Sequence, residues 1–205
     1  MELINTFIML FIVVDPLGIS PIFHSLTEGM IGKERNKVAR HATLLAAIML
    51  VIFFLIGDKL LDILSITLPA FRIAGGILLL MLSIDMVFAR QSGLRSTTSR
   101  EQQEAIHRED ITVFPLAFPL IAGPGALTTV LLMASEQQSS WHLFGQLGVI
   151  LLVIATTLIS FLFTPHLLKF MGEIGTNVVS RLFGLILAAL AVQFILDGIH
   201  GSFNI

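Results

Sequence analysis

The chain has 205 residues, of which 55% are hydrophobic and 13% are charged, and its mean hydropathy is +0.92. A soluble domain carries about twice that charged fraction, so the composition indicates a membrane protein and argues against a soluble enzyme. The net charge of -2 says nothing about nucleic acid, because no basic face is expected to remain once the loops are assigned, and the absence of cysteine excludes disulfides and thiolate metal sites.

Six apolar runs of membrane-spanning length are found in the chain. The first follows an N-terminus without a basic residue or a small-residue cleavage site, so we expect it to stay as a helix and not to be removed as a signal peptide. The predicted fold is an all-α membrane protein with six transmembrane helices, and residues 1–205 form a single transmembrane domain. The predicted spans are Leu3–Leu26, Val38–Ile56, Leu68–Ala89, Val113–Ala134, Leu143–Phe163 and Ser180–Ile199.

Positive charge is distributed unevenly between the two sides of these spans. Ten of the 12 Lys and Arg residues fall on the side that includes the polar segment 90–112, and only Lys59 and Arg72 fall on the other. Cytoplasmic loops carry an excess of Lys and Arg. The linker 90–112 is therefore predicted to be cytoplasmic, and both termini are predicted to lie on the opposite, periplasmic side.

The two halves of the chain show a weak internal repeat. A shift of 108 residues places Pro16 on Pro124, and a shift of 109 places Arg72–Leu78 on Arg181–Leu187 with four of seven residues identical. The repeats, residues 3–89 and 113–199, contain three spans each. An odd number of spans gives the halves opposite orientations, so the pattern predicts two inverted three-helix repeats, as in many secondary transporters.

Helix-breaking motifs interrupt span one at Asp15–Pro21 and span four at Ala122–Thr129. Proline removes a backbone donor and glycine weakens the helix, and in a bilayer such breaks are tolerated only inside the bundle or beside a water-filled cavity. Asp-Pro and Gly-Pro are also typical of helix starts. We therefore expect spans one and four to be broken helices, each with a half-helix N-terminus near the membrane midplane.

The two half-helix N-termini predict a small-molecule site, because their unpaired N–H groups attract an anionic group such as a carboxylate. Asp15 is expected to cap the first half-helix, to titrate or bind a coupling ion, or to do both. No metal site and no cofactor is predicted. The candidate substrate- or ion-binding residues are Asp15, Pro16, Gly18, Ser20, Pro21, Gly123, Pro124, Gly125, Thr128 and Thr129.

These motifs resemble those of the MarC family of bacterial integral membrane proteins, also called the neutral amino acid transporter family. The resemblance covers essentially the whole chain and implies a bacterial inner-membrane location, six spans and, more loosely, transport. The resemblance implies no catalytic residues for this chain. The matching stretches are Asp15–Gly18, Pro21–Phe23, Phe71–Gly76, Pro115–Ala117, Pro119–Leu120, Ala122–Ala126, Arg181–Leu187 and Asp197–Ile199.

The leading hypothesis for function is a secondary transporter or exporter of a small polar metabolite such as a neutral amino acid. A passive channel lined by the same breaks and a structural or regulatory membrane subunit are the alternatives. An intramembrane enzyme is disfavoured because the chain has neither a His-Glu-x-x-His motif nor a Gly-x-Ser-x-Gly motif. The expected partners are the lipid bilayer and a small-molecule substrate, and coupling to protons or sodium and assembly into a homo-oligomer remain open.

Overall fold

The computed structural model describes residues 2–88, 111–135 and 140–203. Every regular element in these ranges is helical, which confirms the predicted all-α fold for this part of the chain. The predicted cytoplasmic linker, 90–112, lies outside the described residues except for its last two. The elements are α1 (Glu2–Val14), α2 (Ile19–Leu26), α3 (Gly32–Ile63), α4 (Leu68–Phe88), α5 (Thr112–Ile121), α6 (Pro124–Ser135), α7 (Ser140–Leu162) and α8 (Thr164–Phe203).

Four of these helices contain a continuous stretch that is long and apolar enough to cross a bilayer by itself. The stretches are Gly32–Ile63, Leu68–Phe88, Trp141–Leu162 and Ile174–Phe203. Two further spans arise if each bent pair is counted as one: α1 with α2, bent by 42°, and α5 with α6, bent by 58°. Among the described residues the count is then six, and the two bent pairs are spans one and four, as predicted.

Two helices extend further than the apolar runs that predicted them. Helix α3 begins at Gly32 instead of Val38 and ends at Ile63 instead of Ile56, because a helix continues its hydrogen bonding in water beyond the hydrocarbon layer. Helix α8 includes a break at Gly172, where φ is 65° and ψ is 174°. This backbone conformation favours glycine, and the spanning part of α8 follows the break.

Helices α4 and α8 form the most extensive packing contact, which we call the α4–α8 seam. A Cβ atom added at Gly76 would lie 2.8 Å from the Ala191 carbonyl oxygen, and one added at Gly198 would lie 2.7 Å from the Pro69 carbonyl oxygen. Glycine therefore lets the two backbones approach closely. Because the start of α4 lies against the end of α8, spans three and six are antiparallel.

The other helix–helix contacts occur in matching pairs, one made by each half of the chain. Helices α1 and α2 pack on α7, as α5 and α6 pack on α3, and α2 contacts α8 as α6 contacts α4. Helix α1 also contacts α6, where Val13 lies against Gly125. Spans one and four therefore lie together, as expected for inverted repeats. The superposition of residues 3–89 on 113–199 stays a prediction.

Candidate functional site

The first break begins at Asp15, which is buried with 1% of its surface exposed. Its φ of 50° is left-handed, a conformation that Asp and Asn adopt more readily than most residues. The Gly18 backbone N–H donates to Asp15 Oδ1 at 3.1 Å, and the Ile19 N–H donates to the Asp15 carbonyl at 3.1 Å. Asp15 thus accepts a hydrogen bond within the turn before α2, but the N-cap of α2 is Gly18, which has no side-chain cap hydrogen bond. The half-helix therefore begins three residues later than the Asp-Pro motif predicted.

The second carboxylate oxygen of Asp15 connects the break to α8. The Ser180 hydroxyl donates to Asp15 Oδ2 at 2.8 Å. Gly18 lies directly beside this pair: a Cβ atom added at position 18 would collide with Ser180 Oγ and Asp15 Oδ2. Gly18 has an ordinary right-handed helical backbone, with φ of -72° and ψ of -28°. Glycine is therefore needed at position 18 because a side chain would not fit there, and not because the backbone conformation excludes other residues.

A group of three oxygen atoms connects the same break to α7. The Pro16 carbonyl accepts from the Ser20 hydroxyl at 2.8 Å and from the Ser160 hydroxyl at 2.9 Å. The two hydroxyl oxygens lie 2.7 Å apart. Proline at position 16 and the turn after it free backbone groups that a regular helix would pair, and serine hydroxyls supply partners where no bulk water is available.

Stacked aromatic rings hold α2 against α7 next to these oxygens. The Phe23 and Phe161 ring centroids are 4.2 Å apart with an interplanar angle of 5°, and both side chains are fully buried. An aromatic pair of this kind contributes about 0.5–1.5 kcal/mol beyond its buried area. The pair thus adds apolar packing between α2 and α7 on the side of the break that contains Ser20 and Ser160.

The second break lies between Ile121 and Pro124, where Ala122 has φ of -91° and ψ of 52°. A Cβ atom added at Gly123 would collide with the Pro119 carbonyl oxygen. The Leu127 N–H donates to the Gly123 carbonyl at 3.0 Å, so α6 starts with a regular turn. The chain folds back closely enough at this break that only glycine fits at position 123.

A small cavity of about 10 Å³ lies at the second break. This volume is near the minimum that holds one water molecule. Val13 and Leu82 contribute walls from α1 and α4, so the cavity lies where spans one, three and four meet. Its lining residues are Val13, Leu82, Leu120, Ile121, Gly123, Pro124, Gly125 and Ala126.

The other candidate residues of the second break face elsewhere in this conformation. The Thr129 hydroxyl donates to the Gly125 carbonyl at 2.8 Å within α6. The Thr128 methyl group packs against Gly75 of α4, where an added Cβ atom would collide with it. Both threonines are buried, and their hydroxyls are not part of the cavity wall. A binding role for Thr128 and Thr129 stays a prediction.

The first break is shorter than its motif predicted. Ser20 and Pro21 already belong to α2, and proline is tolerated there because the first turn of a helix has N–H groups without helical partners. Ser160 and Ser180 are not among the predicted site residues, although they supply the hydroxyls that meet the Asp15–Ser20 segment. The only signal in the sequence is that both are polar residues within or beside apolar spans.

Comparisons with known proteins agree with a membrane protein over the whole chain. The family model described as MarC family integral membrane protein matches residues 1–203. The UPF0056 membrane protein YhcE of Escherichia coli is 38% identical over 197 residues, which cover 96% of this chain and 91% of that protein. The UPF0056 membrane protein MJ1677 of Methanocaldococcus jannaschii is 37% identical over 199 residues, covering 97% and 96%.

A third relative, the UPF0056 membrane protein YvbG of Bacillus subtilis, is 35% identical over 203 residues, which cover 99% of this chain and 96% of that protein. No solved structure matches the chain. The names of these relatives describe membrane proteins and give no substrate.

Proposed function

Because the chain belongs to the MarC family of integral membrane proteins, we propose that it is a secondary transporter or exporter of a small polar metabolite such as a neutral amino acid. The observation that carries the proposal is the pair of broken spans, bent by 42° and 58°, which lie together in the bundle. In secondary transporters, discontinuous helices of this kind form the substrate and ion sites near the midplane. The proposal includes no catalysed reaction.

The size of the cavity supports a carrier over a permanently open pore. At about 10 Å³ it has room for about one water molecule and not for an amino acid. Substrate would therefore enter only after a rearrangement that widens the second break. Alternating access, in which one half of the molecule moves against the other, supplies such a rearrangement.

Flux into proteoliposomes tests the proposal. The purified protein is reconstituted, a panel of radiolabelled amino acids is offered, and proton or sodium gradients are imposed separately. We expect at least one neutral amino acid to accumulate against its own gradient when one of the two ion gradients is present. Flux that never exceeds equilibrium would favour a channel, and the absence of flux for the whole panel would contradict amino acid transport.

We place the protein in the inner membrane of a bacterium, with the linker 90–112 in the cytoplasm and both termini in the periplasm. The uneven distribution of Lys and Arg supports this orientation. We expect an alkaline phosphatase fusion at Ser99 to be inactive and one after Phe203 to be active, because the enzyme folds only in the periplasm. The reverse pattern of activities would show that the protein has the opposite orientation in the membrane.

The cavity at the second break predicts a specific effect of Gly125→Ala. A Cβ atom there would lie 3.0 Å from a Leu82 methyl carbon and would project beside the cavity. A single added methyl group in a fitted site costs about tenfold or more in affinity. We therefore expect Gly125→Ala to weaken substrate binding at least tenfold, measured as the substrate concentration for half-maximal flux or as a ligand-induced thermal shift.

Gly145→Ala is the matched control for this substitution. A Cβ atom at Gly145 would also lie 3.0 Å from a leucine methyl carbon, in this case of Leu3. Because Leu3 is 41% exposed and can move aside, the packing cost is smaller than at Gly125, so the free energy of unfolding of both variants is measured alongside substrate affinity. Gly145 lies in α7, away from the cavity wall. Equal loss of substrate affinity in both variants would place the binding site away from the second break.

A further inference from the structure

A basic groove lies on the first three turns of α3. It consists of Lys33, Asn36, Lys37, Arg40 and His41, all on one face of α3, and is open to solvent. All of these side chains except Asn36 are exposed. Within the described ranges, no carboxylate forms an ion pair with the lysines or the arginine of the groove. The groove thus holds three formal positive charges, and the Glu34 carboxylate on the same stretch of α3 forms no ion pair with them.

The groove continues directly into an exposed apolar stripe on the same face of α3. The stripe consists of Leu44, Ile48, Ile52 and Leu55, which are 57%, 46%, 47% and 52% exposed. Residues three or four apart share a helix face, so positions 37, 41, 44 and 48 form one line. The opposite face of α3 is buried in the core. The stripe therefore faces lipid, and the basic groove lies at its end.

If Leu44 marks the edge of the hydrocarbon core, Arg40 at the inner end of the groove lies within the headgroup layer, whereas Lys37 and Lys33, the latter about 16 Å away, lie on its water side. Along a helix with a rise of 1.5 Å per residue, Arg40 lies about 6 Å and Lys37 about 10 Å from the level of Leu44. The headgroup layer is about 5–8 Å thick on each side of the hydrocarbon core. Long basic side chains extend toward the phosphate level from such positions.

We propose that the basic groove binds the phosphate headgroup of an anionic phospholipid, whose acyl chains lie along Leu44, Ile48 and Ile52. Lysine and arginine donate charge-assisted hydrogen bonds to phosphate oxygens, and Asn36 adds an uncharged donor. A soluble phosphate ester would meet the same donors. The adjoining apolar stripe is what favours a lipid, since it offers a surface for acyl chains that a soluble ligand does not have. The inference does not depend on the transport proposal.

Thermal unfolding of the full chain in neutral detergent tests the inference, with phosphatidylglycerol or phosphatidylcholine added as the probe. We expect phosphatidylglycerol to stabilise the protein more than phosphatidylcholine does. In the triple variant Lys33→Gln, Lys37→Gln, Arg40→Gln this preference should disappear. Each basic residue beside an anionic lipid contributes about a fivefold gain in affinity, so the three losses together correspond to roughly a hundredfold.

A second triple variant removes the same number of charges elsewhere: Lys59→Gln, Lys169→Gln, Arg181→Gln, all three at exposed positions. It should keep the preference for phosphatidylglycerol, as should Lys33→Arg with Lys37→Arg, which retains the charges of the groove. If both triple variants lost the preference for phosphatidylglycerol equally, the preference would depend on the overall charge of the protein and not on the groove. That result would overturn the inference. Stabilisation of the wild-type chain by inorganic phosphate or glycerol phosphate to the same extent as by phosphatidylglycerol would overturn the assignment to a lipid.

Discussion

Asp15→Asn is expected to leave the protein folded and inserted but to reduce gradient-driven substrate flux to background. Asn adopts the left-handed backbone found at position 15 and its amide oxygen can accept from the Gly18 N–H, so the hydrogen bond of the turn before α2 survives. The amide cannot take up a proton at physiological pH or offer a full negative charge to a cation. Because Asp15 is almost completely buried beside the first break, loss of that charge should remove the coupling of substrate flux to the ion gradient.

Two flux measurements on the substrate identified in proteoliposomes separate coupling from binding. Accumulation driven by the ion gradient should be lost in Asp15→Asn, whereas exchange of labelled for unlabelled substrate should persist. Asp58→Asn, at an exposed position near the end of α3, is the control and should behave as the unmodified protein. If Asp15→Asn still accumulates substrate against its gradient, Asp15 has a structural role only and the coupling site lies elsewhere.

Gly18→Ala should be among the most destabilising conservative substitutions in the chain. The new Cβ atom would collide with Ser180 Oγ and Asp15 Oδ2, and it would lie 2.8 Å from Asp15 Cγ. The collision is relieved only if the hydrogen bond between Ser180 and Asp15 breaks or the turn before α2 moves. Loss of a hydrogen bond to a charged group and overpacking each cost about 1–3 kcal/mol, so we expect a loss of roughly 2–4 kcal/mol in the free energy of unfolding.

Thermal unfolding in detergent measures this loss against Gly148→Ala. Gly148 lies in α7, and a Cβ atom added there would meet nothing within 4 Å. Alanine is the better helix former by about 1 kcal/mol, so Gly148→Ala should be neutral or slightly stabilising. Combining Gly18→Ala with Ser180→Ala removes one of the two colliding oxygens and should recover part of the stability. A Gly18→Ala protein as stable as Gly148→Ala would contradict the packing described around Asp15.

The helix breaks could be predicted from single residues because their cause is local. Proline at positions 16 and 124 cannot donate a hydrogen bond, and this holds in any surroundings. The same local cause acts in α5, which contains Pro115 and Pro119. Phe114 and Phe118 have extended backbone inside this element, since a residue that precedes proline avoids the helical conformation. The apolar run from Val113 predicted a span interrupted only at Ala122–Thr129, because hydropathy does not report backbone geometry.

The partners of the first break could not be predicted, because they are separated from it by most of the chain. Ser160 meets Ser20 across 140 positions, and Ser180 meets Asp15 across 165. Composition and periodicity identify which faces are apolar but not which faces meet. The orientation of Thr128 could not be predicted for the same reason. Its methyl group faces α4 because it packs against Gly75, and no pattern within α6 indicates this contact.

The α4–α8 seam has a practical consequence for measuring motion. At Gly76 and Gly198 an added Cβ atom would press on a backbone carbonyl of the neighbouring helix, so the two backbones lie in close contact along the seam. The seam can therefore serve as the reference frame from which the displacement of α2 or α6 is read. Because the chain contains no cysteine, spectroscopic probes can be attached at single introduced thiols, one on the frame and one on α2 or α6, with no native thiol to remove. A change in that probe-to-probe distance on addition of substrate would report which broken helix moves and how far.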